Sequence, residues 1–238
     1  MASTTTEDEF ADRDPQGLKK EKKDGARDEA ERVAAASKMY TKMLFFMVPM
    51  IEQVLAWGGY FGCAYGLGQK AALDAKFAFL QTYDLGYIYL AVWIISLART
   101  SLVLNANAMR AGARVDRPDQ HVYMVMDREA KKDAPYALMA NTGAVGRFNR
   151  AQRSVFNTDE SMPMFLVNSL LAGSVFGPLV ALLAAVVAFG RVRFGLGYTK
   201  GTSLRGPGFM CTMIGEKWIE GLVVLIALKS LGGSHIPF

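Results

Sequence analysis

Five apolar runs, separated by charged or turn-rich segments, order the chain: residues 39–68, 84–106, 148–172, 176–199 and 207–231. A helix rises ~1.5 Å per residue, so about 20 apolar residues cross the ~30 Å hydrocarbon layer. Each run meets that length without the period-2 alternation of a strand. The pattern predicts an all-α integral membrane protein with five spans. Pro49 is expected to kink the first, and GSVFGP, residues 173–178, to turn the chain between the third and fourth.

The polar segments complete the outline. Residues 1–37 form a polar tail that starts acidic and has no apolar core, unlike a secretory signal peptide. Disorder is its default, with helix from about Asp28. The connector 69–83, QKAALDAKFAFLQTY, has the character of a short amphipathic helix at a membrane surface. Residues 111–146 make a long charged loop containing Pro118, Pro135, Gly143 and Gly146, and its QHVYMVMD stretch suits a short strand or strap.

Half of the residues are hydrophobic (51%), mean hydropathy is +0.15, and the net charge is +5. The basic residues sit in the tail, in the 107–147 loop and in the 191–205 loop. Lys70 and Lys76 alone serve the 69–83 connector, and the GSVFGP turn has none. Alternate basic loops set orientation, with the N-terminus and both basic loops on the cytoplasm-like side. This distribution argues against a nucleic-acid surface. Cys63 and Cys211 lie on separate apolar runs and read as packed thiols. His121 is isolated from His235, so neither builds a metal site, and His121 reads as a surface residue.

Charge inside the apolar runs needs a reason. Glu52 is a lone acid in the first run: a buried polar contact, an interfacial group or a functional carboxylate. Arg99 on the second run and Glu216, Lys217 and Glu220 on the fifth are expected to form an internal ion pair or network. Gly58, Gly62 and Gly66 form a GxxxG ladder that lets another helix approach closely.

The densest polar cluster is Phe148–Pro163, FNRAQRSVFNTDESMP, at the entrance to the third run. Arg150, Arg153, Asn157 and Glu160 are 3, 4 and 3 residues apart and fall within a ~80° arc of a helix. Such a stripe offers guanidinium forks for carboxylates, an amide, and a carboxylate for an ammonium. It suits a small zwitterion with several carboxylates and one amine. It equally suits a basic helix end obeying the positive-inside rule, with Asn157 and Glu160 as internal glue.

FNxxQRxxxNTxExxP resembles the microsomal glutathione S-transferases of the MAPEG family, most closely the type 3 enzymes. The resemblance continues through GRVRFGLGY, Gly190 to Tyr198, to Gly201 and Arg205, and spans about Asp84 to Leu231. It implies a MAPEG-like four-helix transmembrane bundle, to which this chain adds one N-terminal transmembrane helix, a tail and a long loop. It also implies a homotrimer holding glutathione between neighbouring subunits. By this resemblance Arg153, Asn157 and Glu160 bind glutathione, and Arg110 contacts it from the end of the first family helix. Arg191, Phe194 and Tyr198 share a face of the fourth span, with Tyr198 matching a glutathione-contacting tyrosine. Arg205 matches the arginine proposed to activate the thiol, and Arg150 is a supporting charge. Ser161 and Phe194 stand where several relatives have tyrosine.

Two functions follow as expectations. The first is a glutathione transferase or glutathione-dependent peroxidase acting on lipophilic electrophiles or lipid hydroperoxides in an endoplasmic reticulum or organellar membrane. The second is a non-catalytic scaffold or accessory subunit that meets a partner membrane protein through Gly58, Gly62 and Gly66. A transporter is disfavoured, because nothing suggests inverted repeats.

Overall fold

The computed structural model describes residues 28–117, 119–125 and 137–232. The acidic start of the tail, Pro118, Pro135 and His235 lie outside them. Helix α1 (Glu29–Lys42) is capped by Asp28, whose carboxylate accepts from the Glu31 amide at 2.8 Å. Glu29 and Glu31 in its first turn and Lys42 in its last suit the helix dipole. The helix expected from about Asp28 is therefore present, and residues 29–37, assigned to the tail by composition, are ordered helix.

A π turn, Met43–Met47, leads from α1 into α2 (Val48–Phe61), and a second π turn, Gly62–Gly66, ends it. The first directly precedes Pro49. Proline lacks an amide hydrogen and crowds the carbonyl four residues back. The wider turn relieves this, and Val48 donates instead to Met43, five residues back. α2 buries none of its residues, and Glu52 on it is exposed. A Cβ added at Gly58, Gly62 or Gly66 would meet no atom within 4 Å, so the ladder faces away from the rest of the chain. Cys63 is exposed here, against the expectation of a packed thiol. The connector forms α3 (Lys70–Thr82).

The remainder is a helical bundle. α4 (Gly86–Ala113) packs along α5 (Gly143–Lys200), and α5 packs along α6 (Gly206–Gly232). α5 is two antiparallel arms: Arg150 of the first reaches the Tyr198 and Thr199 carbonyls of the second, and Arg191 of the second reaches Asn157. The expected six-residue turn is instead a corner made by one non-helical residue, Phe176 (φ −117°, ψ 45°). Gly177 makes room there, since a Cβ would lie 2.7 Å from the Asp84 carbonyl oxygen. Ile95, Phe165, Val180, Leu183, Val187 and Ile219 fill the middle of the bundle.

Three helical stretches, Glu29–Gly66, Gly86–Ala113 and Gly143–Lys200, are long and apolar enough to cross a membrane. The last folds back at Phe176 and so supplies two passes. α6 is nearly as long as α4 but carries Glu216, Lys217, Glu220 and Lys229.

In the long loop, β1 (Tyr123–Val125) pairs antiparallel with β2 (Ala137–Met139), which places a strand in the QHVYMVMD stretch. The buried Asn149 side chain ties this hairpin to α5. It accepts from the Val122 amide at 3.0 Å and donates to the Val122 and Ala140 carbonyls at 2.8 Å each.

Candidate functional site

Asn157, Arg191, Phe194 and Arg205 converge on one cavity of about 630 Å³, closed on its other side by Phe209, Met213 and Glu216 of α6. Its position follows from the local fold. The arms of α5 bring Asn157 and Arg191 face to face. The 3-10 turn Thr202–Arg205 then carries the chain over to α6, setting Arg205 at the rim.

Arg191 is the most committed side chain. It donates from Nη2 to Glu216 Oε1 at 2.6 Å and to Ser161 Oγ at 2.5 Å, and from Nη1 to the Asn157 carbonyl at 3.3 Å. Arg191 and Glu216 are only 12% and 22% exposed. Removing one partner of such a pair leaves a buried charge uncompensated, at a cost of about 3–5 kcal/mol. The pair thus locks both arms of α5 to α6. This corrects the expected network, in which Arg99 met the acids of α6. Arg99 instead makes a fork on Asp159 of α5, Nε to Oδ1 at 2.6 Å and Nη2 to Oδ2 at 3.0 Å. Glu220 pairs with Lys217 on the same helix at 2.7 Å.

Arg205 is held by an aromatic ring. Its guanidinium carbon lies 5.4 Å from the Tyr198 ring centroid, and Tyr198 in turn packs on Phe194 at 5.8 Å. A guanidinium over an aromatic face is oriented and still has its N–H fork to offer.

Arg153 and Glu160 flank Asn157 on the exposed side of the first arm and bond to each other at 3.0 Å. The predicted stripe therefore exists as one face, with Asn157 as the residue that also lines the cavity. Arg150 and Arg110 turn elsewhere. Arg150 donates to the carbonyls of Asn141, Tyr198 and Thr199 at 2.7, 3.0 and 3.2 Å. Arg110 donates to the carbonyls of Asp116 and Asp119 at 2.6 and 2.5 Å and lies 4.7 Å above the Phe148 ring centroid. Each clamps a helix end or a loop.

His121 packs its ring 5.3 Å from that of Phe156 and buries Nε2, so it is not the free surface residue expected. Burial, and then the charge of Arg153, hold its pKa below the usual 6.5. Sequence reasoning missed the cavity role of Glu216 and the apolar wall of Phe209 and Met213. The available signal was Glu216 among the charges of the fifth apolar run and Arg191 on the neighbouring fourth.

Fold and cavity together define an all-α integral membrane protein with an arginine-lined cleft between helices. The sequence profile of the MAPEG family matches residues 85–216, and the chain belongs to that family. The match takes in α4, the loop, α5 and the start of α6, and leaves α1–α3 outside it. No curated protein sequence matches the chain.

Proposed function

We propose that the protein is a membrane glutathione transferase or glutathione-dependent peroxidase acting on lipophilic electrophiles or lipid hydroperoxides. The observation that carries this reading is Arg205, oriented by Tyr198 at the mouth of a cavity that also presents the apolar Phe194, Phe209 and Met213. A cysteine thiol has a pKa of roughly 8.5, so glutathione must be held as its thiolate to act as a nucleophile near neutral pH. A fixed guanidinium supplies that stabilisation, because it stays protonated and donates hydrogen bonds. Arg153, Asn157 and Glu160 provide a cation, an amide and a carboxylate for the carboxylates and ammonium of the tripeptide. Arg110, Arg150 and Arg191 hold the ends and arms of the helices that carry these groups. Phe194, Phe209 and Met213 form the slot for the electrophile.

By the same reading the protein is a homotrimer in an endoplasmic reticulum or other organellar membrane, with the basic loops on the cytoplasm-like side. Residues 84–238 are its MAPEG-like domain, and 38–83 are an added span and connector. The test is turnover of a hydrophobic aryl halide and of a lipid hydroperoxide by the purified protein in nanodiscs. Glutathione-dependent product formation, lost in Arg205→Ala, is expected. Equal rates with and without the protein contradict the reading.

A second reading, an accessory subunit, is supported by α2. That helix presents an unfilled glycine ladder and buries nothing against its own chain. Co-purification of a partner membrane protein that is lost in Gly62→Leu tests it.

A further inference from the structure

Three cations reach the cavity: Arg191, Arg205 and Lys217. Their states differ. Arg191 is neutralised by Glu216 in a nearly buried pair. Lys217 is neutralised by Glu220, one turn along the same helix. Of these three, Arg205 has a ring for a neighbour and makes no ion pair among the described residues. The cavity therefore has one uncompensated positive charge, and it sits at the rim.

The floor is different. There the Glu216 carboxylate accepts one N–H of the Arg191 guanidinium and neutralises the charge that an incoming carboxylate would use. An anionic group reaching the floor meets a carboxylate and finds Arg191 already bonded to Glu216, Ser161 and the Asn157 carbonyl. Beside the largely buried Arg191–Glu216 pair, an unpaired anion next to a like charge is disfavoured. An apolar chain with an uncharged end meets Phe194, Phe209 and Met213 at no such cost.

We propose that the Arg191–Glu216 pair makes this cavity select uncharged lipophilic compounds over those that end in a carboxylate. Resting on the reading of the cavity as the electrophile slot, this sets the substrate class: neutral aryl or alkyl electrophiles and esterified lipid hydroperoxides, rather than free fatty-acid hydroperoxides. Glu216 is a specificity-determining residue, acting by occupying the one buried guanidinium. If it releases Arg191, the cavity gains a receptor for a carboxylate.

The experiment measures binding, so it stands whether or not the protein turns over. Full-length protein in nanodiscs, carrying Arg205→Gln to remove the rim cation, is titrated with dansyl-labelled undecanoate and with its methyl ester. The titration is run at about pH 8, where a carboxylate is ionised. The ester is expected to bind at least ~10-fold more tightly than the acid. Adding Glu216→Gln should raise affinity for the acid by roughly 10-fold or more and leave the ester unchanged, since a charge-assisted fork becomes available. The double change Arg191→Gln and Glu216→Gln, which has no buried charge, should restore the ester preference. It also serves where Glu216→Gln alone does not fold.

Equal binding of acid and ester in the Arg205→Gln protein overturns the proposal. So does an acid-to-ester ratio that Glu216→Gln does not move. Failure of glutathione to form a thiolate on the protein with Arg205 intact instead overturns the transferase reading and leaves these ratios standing as their own result.

Discussion

The Arg205 guanidinium carbon lies 5.4 Å from the centroid of the Tyr198 ring. The two residues come from the end of one helix and from the turn that follows it, so their relation is short-range in sequence. It fixes the direction of a cation whose helical turn is otherwise exposed. A contact of this kind contributes about 0.5–1 kcal/mol at an exposed site. Tyr198→Phe keeps the ring and is expected to keep most glutathione-dependent activity. Tyr198→Leu should lower kcat/KM by about twofold to fivefold. Steady-state kinetics on both variants check it, and equal losses would show that the hydroxyl, not the ring, matters.

Arg150 is expected to be a stability residue. Its guanidinium closes the open end of α5 by bonding carbonyls at Asn141, Tyr198 and Thr199. Hydrogen bonds from a charged donor contribute about 1.5–3 kcal/mol each at most. Arg150→Met should lower the unfolding free energy in detergent by about 2–3 kcal/mol, and Arg150→Lys, which lacks the planar fork, should recover little of it. A thermal melt unchanged by Arg150→Met would contradict the assignment.

Arg99 and Asp159 join α4 to α5 through a two-point fork. A double-mutant cycle with Arg99→Leu and Asp159→Leu should give a coupling of about 1–2 kcal/mol, intermediate between an exposed and a buried pair. The same cycle between Arg99 and Glu216 should give none beyond about 0.5 kcal/mol. Unfolding of the four proteins in each cycle decides it.

His121 gives the fold a pH response. Its folded pKa lies below 6.5 because burial, and then Arg153, disfavour the imidazolium. The unfolded chain therefore binds a proton more readily than the folded one just below that value. The stabilising contribution is complete above about pH 6.5 and is lost as pH falls from there through the folded pKa. His121→Phe should flatten the stability profile in that window. Arg153→Gln should move the His121 titration upward, which an NMR titration of the imidazole would register.

Much of the fold was legible in the sequence because membrane helices announce themselves by length and composition. α3, the strand in QHVYMVMD and the helix start at Asp28 were legible for similarly local reasons: amphipathic spacing, β-branched and aromatic residues, and a capping carboxylate. What was not legible depended on partners distant in the chain. Arg99 had acids on two neighbouring helices at comparable depth, and only the packing of α4 on α5 selects Asp159 over Glu216. Phe176 reduces a six-residue turn to one residue because Gly177 admits the Asp84 carbonyl, a contact no local pattern encodes. Within the site, the stripe of Arg153, Asn157 and Glu160 follows from helical spacing alone. The meeting of Asn157 with Arg191 and Arg205 requires the fold-back of α5.

The central claim is that Arg205 holds a glutathione thiolate. The most direct measurement is an ultraviolet difference titration of the detergent-purified protein with glutathione at neutral pH, beside Arg205→Ala. The account predicts a thiolate absorbance band that saturates with glutathione and disappears in Arg205→Ala, while some glutathione binding by Arg153, Asn157 and Glu160 persists. Glutathione bound to the unaltered protein with no thiolate band, or a band of equal size in Arg205→Ala, would contradict it.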